Sequence, residues 1–446
     1  MKNSSSFWLF LVGLGSYTQF HFVGSLGISE LPIFLLAPVI FIRDYNVLRK
    51  DGFLIFIHLT ILACIGCAIS SFVNNTPMMF FIKGIAHPYS LFAITVVLHR
   101  LLRNNLNGIK YILVGCFLSG IIGMFIFQPE VITATGGVNV VGAEAIEASL
   151  NDVLMIGNKM KSLLCLPVSI NYLGMPTYLS VIAVAVSGFV YVFFSQSSGR
   201  SAAAATFLSV ILIIAGRKKR VSIAALGRHI VLLVICLLVV VLLLKTAYSK
   251  AASSGVLGEG AYAKYVDQSR AGDSFLKILM MGRMELFCGV GACLDRPILG
   301  FGPKGEDTKG YVEEYLRKYG GPEDYIQYVQ SLHNRLKMYG YVYKTIPTHS
   351  HIAMFWVYYG IAGLLIWIYV LWLIYVYFRR CASSIPQWYG YMVVTIPSAV
   401  WAILFSPYSG RVSVSLYITC LLIAKAVNEK KMMLPIEMEM EVLRHE

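Results

Sequence analysis

The chain has 446 residues, 57% of them hydrophobic and 13% charged, with a mean hydropathy of +0.69. So few polar side chains cannot cover a soluble globule of this size, which excludes soluble and disordered classes and leaves an integral membrane protein. The formal net charge of +14 suggests nucleic acid, but the basic residues fall in short clusters between apolar runs, the pattern of cytoplasmic loops, and no nucleic-acid partner is expected.

Apolar runs lie near residues 7–25, 28–42, 53–72, 77–98, 110–128, 175–196, 201–216, 229–247, 350–378, 388–406 and 411–427. Most have the length that spans roughly 30 Å of hydrocarbon. They are continuous rather than alternating, which predicts an all-α, polytopic membrane helix bundle of about 11–12 transmembrane helices and not a barrel. The first run has no small-x-small cleavage site and reads as a span rather than a signal peptide. The basic clusters are Arg43, Arg49 and Lys50; Arg100, Arg103 and Lys110; the RKKR at 217–220 with Arg228; Arg379 and Arg380; and Lys425, Lys430 and Lys431. All are expected inside.

These clusters predict N-terminal helices over 1–128, an exposed loop or weak crossing over 129–174, helices carrying Arg200 over 175–247, and a large, partly helical periplasmic loop over 248–348. C-terminal helices over 349–431 and a short cytoplasmic tail over 432–446 follow. Cytoplasmic RKKR and cytoplasmic Arg103 require one more crossing than the clear runs supply. Either residues 150–174 hide it, which is the expectation, or Arg200 belongs to a short cytoplasmic hairpin. The tyrosine-rich stretch EDYIQYVQSLHNRLKMYGYVYK, with nearly balanced charges, suits a folded domain on the membrane better than a linker. Its tyrosines serve either sugars and phosphates or an interfacial belt.

The nine cysteines are scattered, mostly within apolar runs, as small apolar filler. Cys64 and Cys67 form a CxxC without a second pair. Cys288 and Cys293 either meet in an outer disulfide or stay free.

Three patterns carry potential chemistry. In SQSSGRSAAAATFLSVILI, Arg200 opens a helix of small residues, either as a snorkelling anchor or as a functional cation. In MMGRMELFCGVGACLDRPILGFGPKG, Arg283 stands near a helix start, with a glycine-rich turn at the far end. Gly300, Gly302 and Gly305 spell GxGxxG, but Pro303 interrupts the motif and no strand precedes it, so a dinucleotide site is rejected. The alternatives are a structural turn or one that admits a phosphate. In KTIPTHSHIAMF, Thr348 is the expected N-cap and His349 would sit in the first helical turn, where the dipole favours a neutral, proton-accepting ring. His349 and His351 are two apart and point in different directions on a helix. A purely structural histidine at the interface is the alternative.

In this order the three patterns resemble the O-antigen ligase and O-antigen polymerase superfamily of bacterial membrane glycosyltransferases. In that family an arginine opens a small-residue span, as in SSGRSAAAA, and a second arginine precedes a P-x-x-G-x-G turn, here Pro297 to Gly302. A histidine then opens a helix carrying G-x-x-G, here His349 with Gly360 and Gly363. That spacing selects His349, leaving His351 and Lys304 as secondary candidates. The family commonly has Asn after the histidine and Glu before the glycines, where this chain has Ser350 and Tyr358–Tyr359. The likeness covers roughly residues 175–378.

The resemblance implies transfer of a glycan from a polyprenyl diphosphate carrier to a hydroxyl at the periplasmic face of the bacterial inner membrane. His349 would be the base, and Arg200 and Arg283 would bind the diphosphate. The expected partners are the carrier-linked glycan, an acceptor glycan or lipid A core, membrane lipid and a possible chain-length regulator. No cofactor is expected, and with no Asp-x-Asp in the outer segments no metal either. Polymerisation of repeat units is favoured, with ligation of a finished chain and lipid-linked glycan export as alternatives.

Overall fold

The computed structural model describes residues 2–15, 19–21, 25–27, 29–125, 163–195, 199–217, 254, 284–319, 325–326, 328–330, 333, 344–381, 384–406, 408 and 414–429. It is mostly helical. The elements are α1 (Lys2–Gly15), α2 (Glu30–Lys50), α3 (Leu54–Val73), α4 (Met78–Leu102), α5 (Gly108–Phe125), α6 (163–171, continued by a 3-10 turn at Tyr172–Gly174), α7 (Thr177–Ser195), α8 (Gly199–Arg217), α9 (Met284–Asp295), α10 (Tyr311–Tyr319), α11 (His351–Tyr359), α12 (Ile361–Val376, running into a π turn at Tyr377–Cys381), α13 (Tyr389–Phe405) and α14 (414–429).

Among the described residues, five helices are long and apolar enough to cross a membrane: Glu30–Lys50, Leu54–Val73, Met78–Leu102, Ile361–Arg379 and Pro386–Phe405. The backbones of α7 and α8 have 19 residues each, about 28 Å at the α-helical rise. Large apolar side chains point outward, with Ile42 79%, Phe72 85% and Phe189 71% exposed. Water would penalise that surface and hydrocarbon does not. The protein is a membrane protein.

The first apolar run is not one helix. α1 covers Lys2–Gly15, and β1 (Gln19–His21), paired antiparallel with β2 (Ser25–Gly27), follows within the run. Aromatic and β-branched residues between glycines suit a strand better than a helix. This small sheet departs from the all-α expectation. α1 lies along α5 with backbones in close approach, because a Cβ on Gly13 would overlap the Ile112 carbonyl and one on Gly115 the Phe10 carbonyl.

The basic ends of α2 and α4 coincide. Arg100 reaches both carboxylate oxygens of Asp44 at 2.7 Å, and Asp44 is 5% exposed. His99 Nε2 lies 2.9 Å from Asp51. Such pairing is required of an acid withdrawn from water.

Residues 163–174 are helical and run antiparallel to α7. The Cys165 thiol meets the Ser187 hydroxyl at 3.1 Å, and Tyr172 donates to the Ile213 carbonyl near the C-terminal end of α8. Residues 129–162, the remainder of the expected loop or weak crossing, lie outside the described residues, as do the expected run at 229–247, most of 248–283, and 334–343.

The run at 350–378 is split. Gly360, with φ +64°, separates α11 from α12. α11 folds back on the start of α12 closely enough that a Cβ on Gly363 would overlap the Phe355 carbonyl.

Candidate functional site

The site is assembled around the Gly360 break. The Ile298 carbonyl fills the space a side chain at 360 would need and accepts from Ile361 N at 3.2 Å, while Phe301 N donates to the Val357 carbonyl at 2.6 Å. Trp356 Nε1 donates to the Pro297 carbonyl at 2.9 Å. The P-x-x-G-x-G turn is thereby hydrogen-bonded to the end of α11. Its glycines adopt φ of +68° at Gly300 and +76° at Gly302, which other residues rarely tolerate. A Cβ at Gly300 would collide with the Val357 carbonyl. The turn is structural, and its far side rests on the α3–α4 junction, where Arg296 donates to Asn74 Oδ1 at 2.7 Å and Pro303 covers Gly84.

From this turn α9 runs back along α11. Gly289 is the contact: a Cβ there would lie 3.0 Å from the Pro347 carbonyl and 3.4 Å from Ala353 Cβ. Glu285, one helical turn earlier on the same face, meets the chain just before α11. Its Oε2 lies 2.6 Å from His349 Nδ1, with the side chains 38% and 36% exposed. His349 is held from the other direction by a β-bridge between Glu306 and Thr345 and by Ile346 N donating to the Gly305 carbonyl at 2.7 Å.

The expected helix start is corrected. Ser350, not Thr348, is the N-cap: its hydroxyl accepts from Ala353 N at 3.3 Å and donates to the Ile403 carbonyl at 3.0 Å. Thr348 lies two residues before that cap, outside α11. His349 precedes the helix rather than occupying its first turn, and its Nδ1 faces the Glu285 carboxylate. Serine is a strong N-cap, which suits Ser350 to this position. Tyr359 is buried and donates to the Gly84 carbonyl at 2.8 Å.

His351 is 1% exposed, packed among aromatic rings with Trp367 at 4.8 Å and Tyr408 at 5.2 Å between centroids. No water-borne substrate reaches it there. Lys304 is ion-paired with Glu306 at 2.6 Å.

Arg200 lies in the first turn of α8, and its side chain is outside the described residues. The backbone fixes its level. Tyr389, at the start of α13, donates to the Leu212 carbonyl at 2.9 Å and abuts Gly216, near the C-terminal end of α8. Because α8 and α13 pack along one another, they run antiparallel, and the start of α8 approaches the Ile403 end of α13 that binds Ser350. Arg200 and His349 are therefore at the same end of the bundle. Arg283 falls immediately before α9 and outside the described residues.

Nearby polar groups are structural. Asp307 accepts from the N–H groups of Gly310 and Tyr311 at 2.7 and 2.9 Å and caps α10. Asp295 binds Lys309 and Tyr311, which hold its carboxyl below the usual range, while burial and then Asp295 push the Tyr311 phenol up. Cys288 and Cys293 are free, each buried against a different carbonyl, and burial pushes both thiols up to about 12. Cys64 and Cys67 are also free. Among the described residues no three His, Cys, Asp or Glu side chains come together as a metal-ligand group.

Sequence reasoning passed over Glu285. The signal available was its place: two residues after Arg283 and one turn before the glycine by which α9 approaches α11. The chain matches no family model, no curated protein and no solved structure.

Proposed function

We propose that the protein is a membrane glycosyltransferase that moves a glycan from a polyprenyl diphosphate carrier to a hydroxyl acceptor, polymerising repeat units of a surface polysaccharide at the periplasmic face of a bacterial inner membrane. The observation that carries the reading is the docking of the P-x-x-G-x-G turn onto the Gly360 break, which draws two motifs far apart in sequence around a half-exposed His349. The first turn of α8, with Arg200, lies at the same end. About 11–12 crossings with a large outer loop and cytoplasmic basic ends complete the proposed topology.

His349 accepts the proton of the acceptor hydroxyl. The freed oxygen pair attacks the anomeric carbon as its bond to the diphosphate oxygen breaks, and that electron pair leaves with the diphosphate. Arg200 and Arg283 stabilise the growing charge, which guanidinium groups do best where little water competes. One displacement without a covalent intermediate inverts the anomeric centre. A lipid-soluble donor reaches the site between helices, with α13 as the wall that packs on both α8 and α11.

The test is turnover by detergent-solubilised protein given polyprenyl-diphosphate-linked repeat units. Ladders still attached to the carrier and free polyprenyl diphosphate are expected. Transfer only on addition of a lipid A core acceptor would replace polymerisation with ligation. Inert protein that moves carrier-linked glycan across proteoliposomes would replace both with export.

A further inference from the structure

We infer that Glu285 is a positioning residue for His349: it holds the imidazole hydrogen on Nδ1 and turns the Nε2 lone pair toward the acceptor hydroxyl. The inference rests on the reading of His349 as the base.

The geometry supplies three arguments. First, a carboxylate only accepts, so a 2.6 Å contact between Glu285 Oε2 and His349 Nδ1 places the ring hydrogen on Nδ1 and leaves the free lone pair of a neutral ring on Nε2. Second, both partners are anchored independently. Glu285 is fixed through α9, whose Gly289 approaches the Pro347 carbonyl and whose Cys293 thiol rests on the Ala353 carbonyl at 3.9 Å. His349 lies between the Glu306–Thr345 bridge and the Ser350 cap. An incidental surface pair would lack such support. Third, four neighbouring acids already have structural partners: Asp295 with Lys309 and Tyr311, Glu306 with Lys304, Asp307 with the start of α10, and Glu313 with Lys344.

In the reaction, the acceptor O–H proton passes to Nε2 as the acceptor oxygen bonds to the anomeric carbon and the carbon–diphosphate oxygen bond breaks. The ring becomes imidazolium, and the Glu285 charge stabilises it without taking the proton, the logic by which an acid orients a catalytic histidine. The pair has no role in binding the carrier, so its loss is felt in kcat.

The test uses full-length protein in detergent with Glu285→Gln and Glu285→Ala. The first readout needs no substrate: the rate at which diethyl pyrocarbonate modifies His349, followed by peptide mass spectrometry. Without the carboxylate the Nε2 lone pair is less nucleophilic and the ring is no longer held, so modification in Glu285→Ala should slow severalfold even though the imidazole is more open. Glu285→Gln, which keeps an accepting oxygen without the charge and is nearly isosteric, should fall between. A merely structural acid predicts the opposite sign, since uncovering the ring would speed modification. The second readout is turnover of carrier-linked repeat units, where kcat should fall about 10- to 100-fold with KM for the donor unchanged, as for other groups that orient a functional histidine. Unchanged or faster modification in both variants overturns the proposal. If His349→Ala abolishes turnover while both Glu285 variants keep normal kcat, the proposal falls and the assignment of the base stands. If His349→Ala turns over normally, the assignment of the base falls, and the modification rates still judge the pairing.

Discussion

The Ile298 carbonyl occupies the space that a side chain on residue 360 would need, and the backbone there holds φ at +64°. Gly360→Ala therefore faces both an unfavourable backbone well and a collision with backbone that cannot swing aside. A loss of about 2 kcal/mol or more is expected, read as a lower midpoint of thermal unfolding in detergent, with turnover lost because the motif that positions α9 is released. Gly291→Ala is the contrast. It lies inside α9 with nothing within 4 Å of an added Cβ, so replacing a helical glycine should leave stability unchanged or raise it by roughly 0.5–1 kcal/mol.

Removal of the two proposed diphosphate cations should act on both stages of the reaction. The diphosphate is anionic before the sugar leaves and more so afterwards, so Arg200→Ala and Arg283→Ala should raise KM for the carrier and lower kcat. A loss of about 100-fold in kcat/KM is expected for each. Lysine at either position restores the charge but not the planar two-pronged geometry, and recovery should be partial. Steady-state turnover of carrier-linked glycan at constant detergent and ionic strength measures this, and normal kcat/KM in both alanine variants would remove the arginines from the mechanism.

Much of the scaffold was legible in the chain because hydrocarbon imposes a length and polarity that composition alone reveals. The runs at 28–42, 53–72, 77–98 and 388–406 each lie within a helix long enough to span, or overlap one for most of their length. What was not legible depended on tertiary contact. Hydropathy cannot see that Gly360 breaks the 350–378 run, because the break is set by the Ile298 carbonyl from a segment far away in sequence. The N-cap was misplaced by two residues because Thr348 and Ser350 are both capping types, and only the tertiary partners of Ser350, Ala353 and Ile403, decide between them. Glu285 was passed over because a single acid in a first helical turn, even two residues after Arg283, does not identify the histidine it will meet. The choice of His349 over His351 rested on motif spacing, and the fold supplies a physical ground: one ring is half-exposed beside a carboxylate and the other is shut among aromatics.

The Asp44–Arg100 pair anchors the end of the bundle opposite the Gly360 site. Asp44→Ala leaves the guanidinium without its carboxylate, and since Arg100 is 31% exposed the cost is moderated by water. A loss of about 1–3 kcal/mol is expected. Asp44→Ala with Arg100→Ala should recover part of it, because no uncompensated charge remains. The same end should face the cytoplasm. Alkaline phosphatase fused after Asn105, in the loop between α4 and α5, should be inactive, whereas fusion after Thr308, in the turn before α10, should be active. The reverse pattern would invert the proposed orientation and remove the glycan carrier as the donor on that face.

Cys288 and Cys293 offer a test of the packing around the site that does not depend on activity. Both are almost fully buried, and burial pushes each thiol up to about 12, against about 8.5 for a free cysteine. The reactive species is the thiolate. At pH 8 roughly one folded thiol in 10⁴ is ionised, so N-ethylmaleimide should leave both cysteines unmodified in folded protein and label them once it is denatured, as peptide masses would show. The sign of the stability effect follows from the raised values. The folded state favours the protonated thiols, so their contribution is complete below about pH 8.5 and is lost progressively as pH rises toward about 12. Replacing both by alanine should flatten that alkaline decline, at the cost of two small cavities where α9 meets α10 and α11. Rapid labelling of Cys293 in folded protein at pH 8 would mean that α9 does not lie against α11 as described, and Glu285 would then have no fixed position from which to hold His349; rapid labelling of Cys288 alone would instead mean that α10 does not cover α9.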